Sequence, residues 1–370
     1  MAHHNFRKVA IITYSGAYNY GSALQTYALN KYLRNIGFDA VTIDYTSDSQ
    51  QNLYKIFEPC RGLMPLARNL QSLCKYRALK KHLKRFDKFL DEQVPMVSWS
   101  DSKDAKRQIS ETYDFFVCGS DQIWNAQCDD FDDNYMLSFV SDKKKCVAYS
   151  PSLGAGGESD NTIDALKRNV LDFRALSCRE SNGSSIISRV TGRQVETTAD
   201  PVLLLSENEW NEIAPDRVVE GDYILGYFIG DRAGMRDFAK QMSKSTGMPV
   251  VVIYKNLRDI KYGFKTKYDC GPTEFVSLIK HARGIVTNSF HAVAFSLIYK
   301  KDFWVFTGKG DSDSRISGIL DLAGLQQRIV DGDRFKMNDY LDHICYEDLD
   351  MSGLLAYVDS SKEYLNNSLC

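Results

Sequence analysis

The chain has 370 residues, of which 46 are basic and 48 acidic, and its net charge at pH 7 is −2. A balance this close to neutral excludes a protein that recruits nucleic acid through its overall charge, so we predict no nucleic-acid partner. Nine cysteines without a CxxC pair or a zinc-binding spacing favour free thiols in a reducing cytoplasm. No apolar run approaches membrane-spanning length, and the residues before Val9 are too few for a signal peptide, so we expect a cytoplasmic protein.

Apolar runs alternate with helical patterns along the first two hundred residues, which is typical of parallel βαβ units. Strands are predicted at 9–15, 40–45, 115–118, 146–149, 176–179 and 195–198, with helices at 22–35 and 162–173 among them. After a predicted linker at 206–221, a second alternating set has strands predicted at 223–229, 250–254, 284–287, 303–306 and 327–330. A chain of this length exceeds the size at which one hydrophobic core stops growing. We therefore predict two domains.

The predicted fold class is α/β, with two Rossmann-like doubly wound domains that face each other across a cleft in a GT-B-like arrangement. We expect residues 1–205 to form the first domain, 206–345 the second, and 346–370 a terminal helix that packs back on the first. Residues 60–90 are long, helical and basic, and predict an inserted helical hairpin. Two interpretations of that segment stay open. It is either a solvated basic face or a surface that binds anionic lipid headgroups at the inner face of the membrane or a lipid-pyrophosphate substrate.

Two polar stretches follow predicted strands, and the second of them suits a sugar. Asn19, Tyr20 and Gly21 lie in a glycine-containing loop, where the backbone can approach a ligand closely; a structural turn without a ligand is the alternative. The second stretch contains Ser120, Asp121, Gln122 and Trp124. Carboxylates and amides bind pairs of hydroxyl groups, and an indole face packs on a pyranose ring. Helix capping by Ser120 and Asp121 is the alternative here.

Two other strand ends suit an anion. A predicted strand delivers Arg179 to its carboxyl end, where a guanidinium recognises carboxylate or phosphate in a bidentate manner. An internal salt bridge to Glu180 or Asp200 is the alternative. His291 begins a predicted helix after the strand at 284–287, and the free N–H groups of a helix start attract anions. A structural role for this histidine is the alternative.

Asp311-Ser312-Asp313 has the DxD spacing of the metal-binding motif of nucleotide-sugar enzymes. It lies in a polar loop just before a predicted helix, where N-capping by Asp313 or Ser314 is the preferred interpretation. We predict no obligatory metal and no cofactor.

Six motifs, in their order and spacing, resemble the polysaccharide pyruvyl transferase family across nearly the whole chain. They occupy residues 19–25 (Asn-Tyr-Gly-Ser-Ala-Leu-Gln), 119–125 (Gly-Ser-Asp-Gln-Ile-Trp-Asn), 149–154, 177–180, 200–204 and 287–291 (Thr-Asn-Ser-Phe-His). The resemblance implies a transferase that moves the pyruvyl group of phosphoenolpyruvate onto a sugar as a ketal and releases phosphate. The implied acceptor is a sugar of a polysaccharide or of a lipid-linked oligosaccharide precursor, as in the synthesis of capsule or exopolysaccharide.

The resemblance also implies roles for individual residues. His291 is expected to be the general acid and Arg179 to hold the anionic groups of the donor. Apart from the resemblance, Asp121 is a carboxylate at a strand's end near the expected acceptor, which suits a base toward a sugar hydroxyl. The expected donor site contains Asn288, Ser289, Phe290, His291, Arg179 and Arg315, with Arg328 as a further cation. The expected acceptor site contains Asn19, Tyr20, Gly21, Ser120, Asp121, Gln122 and Trp124. Because fold alone does not set function, a glycosyltransferase that uses a nucleotide sugar and a non-catalytic sugar-binding relative stay open.

Overall fold

The structure, a computed structural model, describes residues 6–53, 63–253, 257–267, 269–308 and 311–370; for residues 53, 63–75, 78, 155, 257 and 311–313 it describes the backbone alone. The chain divides into two compact units. Unit 1 comprises Met1–Tyr76, Phe86–Leu204 and Tyr357–Cys370, and unit 2 comprises Arg77–Arg85 and Leu205–Ala356.

Unit 1 is built on a five-stranded parallel sheet. Its strands are β1 (Lys8–Ile12), β2 (Asp39–Asp44), β3 (Met96–Ser98), β4 (Phe115–Cys118) and β5 (Cys146–Ala148), in the spatial order β3-β2-β1-β4-β5. A separate parallel pair is formed by β6 (Ser177–Cys178) and β7 (Glu196–Thr197). Residues 9–12 are apolar and fully buried, as expected of a parallel strand that is covered on both faces.

Residues 6–211 contribute seven α-helices within the described ranges. They are α1 (Tyr20–Asn35), α2 (Asp48–Leu53), α3 (Leu63–Gln93), α4 (Lys103–Thr112), α5 (Asp160–Asn169), α6 (Ser181–Thr191) and α7 (Glu207–Asn211). Short 3₁₀ helices occupy Asp133–Met136, Lys143–Lys145, Gly154–Gly156 and Pro201–Leu204. The core of unit 1 lies between the sheet and α5 and α6, and it includes Phe116, Trp124 and Phe173.

Unit 2 repeats the same strand order. Its strands are β8 (Ile224–Tyr227), β9 (Val250–Val252), β10 (Lys265–Thr266), β11 (Gly284–Thr287) and β12 (Asp302–Val305), in the order β10-β9-β8-β11-β12. Its helices are α8 (Met235–Thr246), α9 (Leu257–Lys261), α10 (Pro272–His281), α11 (Phe290–Ile298) and α12 (Asp311–Leu322). Further 3₁₀ helices lie at Gln326–Arg328 and Met337–Tyr340, and α13 (Ser352–Ser368) ends the chain.

The predicted α/β class with two Rossmann-like parallel sheets is confirmed by these two strand orders. In the described part of the chain, no helix combines the length and the apolar character that crossing a bilayer requires. The terminal residues pack on unit 1: Ser361 accepts a hydrogen bond from the backbone N–H of Ala199 at 2.8 Å, and the Tyr364 hydroxyl donates to the carbonyl of Ala148 at 2.8 Å.

Three local predictions differ from the structure. Over Leu63–Gln93 the basic segment is one continuous helix instead of a hairpin, and Arg77–Arg85 belong to unit 2, whereas residues 54–62 lie outside the described ranges. The strand predicted at 327–330 is a 3₁₀ turn, after which Ile329 alone bridges to Val305. Helix α12 begins at Asp311, ahead of the predicted cap at Asp313, whose side chain is not described.

Candidate functional site

The loops after β1, β4, β5 and β6 meet at one edge of unit 1, because parallel strands bring their carboxyl ends to the same side. Gly119 directly follows β4 and has a φ of +131°. A Cβ at this position would lie 1.8 Å from the carbonyl oxygen of Tyr149. Only glycine fits such a close approach. The next turn carries Asp121, itself at a φ of +73°, and the Ser152 N–H donates to the carbonyl of Asp121 at 2.8 Å.

Arg179 lies in a buried ion pair at this edge. Its Nη1 is 2.6 Å from Oδ2 of Asp200, and the two side chains are 2% and 0% exposed. Its Nη2 is 3.8 Å from Oδ1 of Asp121. Burial by itself lowers the pKa of the guanidinium, but the carboxylates of Asp200 and Asp121 outweigh it, so the pKa is raised above its usual value. The salt-bridge interpretation of Arg179 is therefore the one that the structure supports.

Asp121 is the exposed end of this network. Its side chain is 17% exposed. The Ser22 hydroxyl donates to Oδ2, and the Gln122 N–H donates to Oδ1 at 2.9 Å. With Arg179 nearby, three groups orient the carboxylate and leave part of it accessible. A carboxylate held in this way can accept a proton or a hydrogen bond from a sugar hydroxyl.

Glu180, which the sequence analysis did not select, connects the neighbouring loops. Its Oε1 accepts hydrogen bonds from the Ser152 hydroxyl at 2.7 Å, the Leu153 N–H at 2.8 Å and the Gly154 N–H at 3.1 Å. Its side chain thereby fixes the loop after β5 to the end of β6. The motif at 177–180 carried this residue, but nothing in its local pattern distinguished a loop clamp from a ligand contact.

The charge balance at this edge is negative. Asp121, Asp200 and Glu180 place three carboxylates around the single guanidinium of Arg179. Asp130 lies close enough to Asp121 that burial first, and the Asp121 charge in addition, raise the pKa of its carboxyl group. A field of this sign repels a multiply charged anion and tolerates a neutral sugar. The structure thus shows Arg179 paired within the protein, and its role in holding the donor stays a prediction.

Several residues predicted to bind the acceptor are covered by protein. Trp124 is 0% exposed, with its Nε1–H directed at the carbonyl of Tyr135 at 3.4 Å, so it offers no indole face to a sugar in this conformation. Tyr20 is likewise buried against Phe86, and Ser120 is 0% exposed inside the Arg179 network.

Gly21 is also buried, whereas the other predicted acceptor residues lie nearer the surface. Asn19 is exposed, and its side-chain oxygen caps α1 by accepting from the Gly21 N–H at 2.8 Å. Gln122 is half-buried beside Gly154. Asn19, Asp121 and Gln122 thus make up the accessible part of the predicted acceptor site.

The carboxyl edge of unit 2 carries the predicted donor residues. Asn288 joins the ends of β11 and β8: its Oδ1 accepts from the Ile229 N–H at 2.8 Å, and its Nδ2 donates to the Ile229 carbonyl at 2.6 Å. The Ser289 hydroxyl caps α11 by accepting from the Ala292 N–H at 3.4 Å. Both side chains therefore shape the helix start, and they place Phe290 and His291 in its first turn.

His291 is half-buried and lies edge-on to the Phe290 ring, with ring centroids 5.5 Å apart. The guanidinium of Arg315, on α12, lies 5.9 Å from the centroid of the same ring. Two of the predicted donor residues, His291 and Arg315, therefore both lie near Phe290, and their role in binding a donor stays a prediction. A cation, an imidazole and a helix start in this arrangement suit an anionic ligand whose reaction needs a proton.

Arg328 lies at the other end of the sheet. Its Nη2 is 3.9 Å from Oδ1 of Asp302 and donates to the carbonyl of Asp342 at 2.9 Å. Asp302 begins β12 and pairs with Gly284, the first residue of β11, so Arg328 is excluded from the site that follows Thr287. Among the described side chains, no group of three or more His, Cys, Asp or Glu residues is placed to share a metal ion.

Comparisons with known proteins give a family match and distant structural similarities. The chain resembles UDP-N-acetylglucosamine 2-epimerase from Rickettsia bellii at 9% identity, over 99% of this chain and 96% of that one, with a TM-score of 0.45. It resembles the S. aureus MnaA–UDP co-structure at 11% identity, over 96% and 91% of the chains, with a TM-score of 0.49. The glycosyltransferase SnogD from Streptomyces nogalater is 12% identical over 98% and 95%, with a TM-score of 0.42.

Structural similarities of this size carry no argument about activity, and no curated protein sequence matches the chain. The sequence profile of the polysaccharide pyruvyl transferases, in contrast, matches residues 19–310. That range contains both strand-end sites, including Asp121, Arg179 and His291. The chain therefore belongs to the polysaccharide pyruvyl transferase family.

Proposed function

We propose that this protein transfers the pyruvyl group of phosphoenolpyruvate to two hydroxyl groups of a sugar, forming a ketal and releasing phosphate. Family membership supports the transferase class. The observation that supports the donor assignment is the start of α11, where His291 and the guanidinium of Arg315 both lie within 6 Å of the centroid of the Phe290 ring, at 5.5 Å and 5.9 Å. Phosphoenolpyruvate has a carboxylate and a phosphate on three carbons, and it needs both cationic groups and a proton donor.

His291 is the proposed acid. Its imidazolium protonates the methylene carbon of the donor, which becomes a methyl group, and the adjacent carbon takes on oxocarbenium character. A sugar hydroxyl attacks that carbon and loses its proton. The carbon–oxygen bond to phosphate then breaks, phosphate leaves with the bonding electrons, and a second hydroxyl closes the ketal. One hydroxyl proton replaces the one that His291 gave, and the other leaves with phosphate.

Asp121 is the proposed base toward the attacking hydroxyl. It is the partly exposed carboxylate of the unit 1 network, and Ser22 and Gln122 orient it. The negative balance around it favours a neutral acceptor over an anionic one. Gln122 follows Asp121 directly, and Asn19 lies three positions before Ser22, which contacts Asp121; both are accessible polar groups that suit hydrogen bonds to sugar hydroxyls. In this proposal unit 2 binds the donor and unit 1 binds the acceptor.

The test is a reaction of the purified protein with phosphoenolpyruvate and a panel of polysaccharide fragments and lipid-linked oligosaccharides. Phosphate release with a mass gain of one pyruvyl ketal on the sugar is the expected result. We expect His291→Asn to lower turnover by about 10²- to 10⁴-fold, since it removes the proton donor. The variant should still bind phosphoenolpyruvate, because the guanidinium of Arg315 is retained. Release of nucleotide from a nucleotide sugar, with no phosphate from phosphoenolpyruvate, would instead identify a glycosyltransferase.

A further inference from the structure

The strand order of unit 2 reverses between β8 and β11. Chain progression runs outward from β8 through β9 to β10, and then from β11 to β12 on the other side. In open parallel sheets the loops after the two strands at such a reversal part and leave a crevice, which is the usual ligand site. The two loops here are residues 228–234, after β8, and 288–289, after β11 and directly before α11. The hydrogen bonds between Ile229 and Asn288 connect them at their base.

Arg232 belongs to the first of these loops, and its side chain reaches the far side of the crevice. A Cβ on Gly308 would lie 2.0 Å from its Nη1 and 2.7 Å from its Cζ. Gly308 follows β12, whereas Arg232 follows β8, and β11 lies between those two strands. The side chain of Arg232 therefore crosses the carboxyl end of β11, beside the start of α11 that carries Phe290 and His291.

The loop that carries Arg232 is held in place on both sides. The neighbouring Asp231 accepts from Nη1 of Arg236 at 2.6 Å through one oxygen and from Arg258 through the other. Arg236 is 6% exposed in its side chain and also binds Asp259 at 2.8 Å. Further along, the backbone at Gly234 packs on Gly332, where a Cβ would lie 1.9 Å from the Gly332 carbonyl oxygen. These contacts fix the position from which the Arg232 side chain extends.

We propose that Arg232 binds the phosphate group of the donor together with Arg315. The inference rests on the proposed function of the α11 site and adds a second guanidinium to it. A guanidinium binds phosphate through two parallel N–H groups, and a second guanidinium at the same site strengthens the attraction. No motif in the sequence points to Arg232, since its role follows from the strand order and from its contact with Gly308.

Calorimetric titration of phosphoenolpyruvate into four proteins tests the proposal. We expect Arg232→Gln to weaken binding about 10- to 100-fold relative to the unaltered protein, as removal of a charged hydrogen-bonding partner does. Gly308→Ala keeps every charge but puts a methyl group where the Arg232 guanidinium lies, so it should weaken binding in the same direction. Arg283→Gln is the matched control, because Arg283 is 65% exposed, pairs with Asp222 and precedes β11 at the opposite edge of the sheet.

The outcomes separate this inference from the proposed function. Equal affinity of Arg232→Gln and the unaltered protein for phosphoenolpyruvate overturns the role of Arg232 and leaves the proposed function standing. A UDP-sugar is titrated in parallel. If the unaltered protein binds the UDP-sugar and not phosphoenolpyruvate, the proposed function fails. Weaker binding of the UDP-sugar by Arg232→Gln would in that case still support a phosphate contact of Arg232. If the unaltered protein binds neither phosphoenolpyruvate nor the UDP-sugar, the proposed function and the role of Arg232 are both overturned. If Arg283→Gln weakens binding as much as Arg232→Gln does, the role of Arg232 is overturned, because the loss then reflects the net charge of the protein.

Discussion

Replacing Arg179 by methionine should destabilise unit 1 because it leaves Asp200 buried without its cation. The two side chains are 2% and 0% exposed, so water cannot screen the remaining charge. Breaking a buried ion pair from one side costs about 3–5 kcal/mol, and we expect Arg179→Met to fall in that range. Asp200→Asn should cost less, since Asp121, at 3.8 Å, still balances part of the guanidinium charge.

The double variant with both substitutions provides the decisive comparison. With neither charge present, its loss of stability should be smaller than the sum of the two single losses, by a coupling of about 0.5–3 kcal/mol. Urea unfolding followed by circular dichroism measures the three free energies, and hydrogen exchange read by mass spectrometry assigns the loss to unit 1. If Arg179→Met unfolds within about 1 kcal/mol of the unaltered protein and loses phosphoenolpyruvate binding instead, Arg179 serves the donor and the structural assignment is refuted.

Three further predictions follow from the same contacts. Trp124→Ala should lower the free energy of unfolding by about 3–5 kcal/mol through the cavity it leaves, whereas unchanged stability with a raised acceptor KM would restore Trp124 as a sugar platform. Burial lowers the pKa of His82 below its usual value of 6.5. As the pH falls below 6.5, His82 is therefore protonated in the unfolded chain before it is protonated in the folded protein, and the free energy of unfolding should decrease. A urea series between pH 7.5 and 5.5 checks this, and His82→Gln should flatten the trend. Anionic vesicles should bind the protein less in high salt if the 60–90 segment contacts lipid, and absence of binding at low salt would leave it a solvated face.

The vesicle experiment has a structural reason to give weak binding. Lys81 and Arg85 of α3 already pair with Asp269 and Glu274 within unit 2. Two cations of the basic face are thus balanced inside the protein, and fewer remain for lipid headgroups. The side chains of residues 63–75 lie outside the described part of the chain, so the contribution of the leucines and basic residues there stays a prediction.

The amino-acid sequence alone determined the fold class and the edge of each sheet that carries the polar motifs. Both follow from residue patterns within short segments of the chain. Continuous apolar runs such as 115–118 and 284–287 read as buried parallel strands, and the structure has strands at these positions. The polar residues that follow a strand must then lie at its carboxyl end, which is why Asp121 and His291 were placed at the correct edges.

Only the tertiary structure decided which of those polar groups are accessible and which are buried or paired within the protein. Arg179 is paired with a carboxylate 21 positions away, and Trp124 is covered by core residues from other elements. Arg232 reaches Gly308 across β11, although nothing in its own neighbourhood distinguishes it from any other loop arginine. Burial and charge pairing depend on contacts between segments far apart in the chain, and local patterns of residue type carry no record of them.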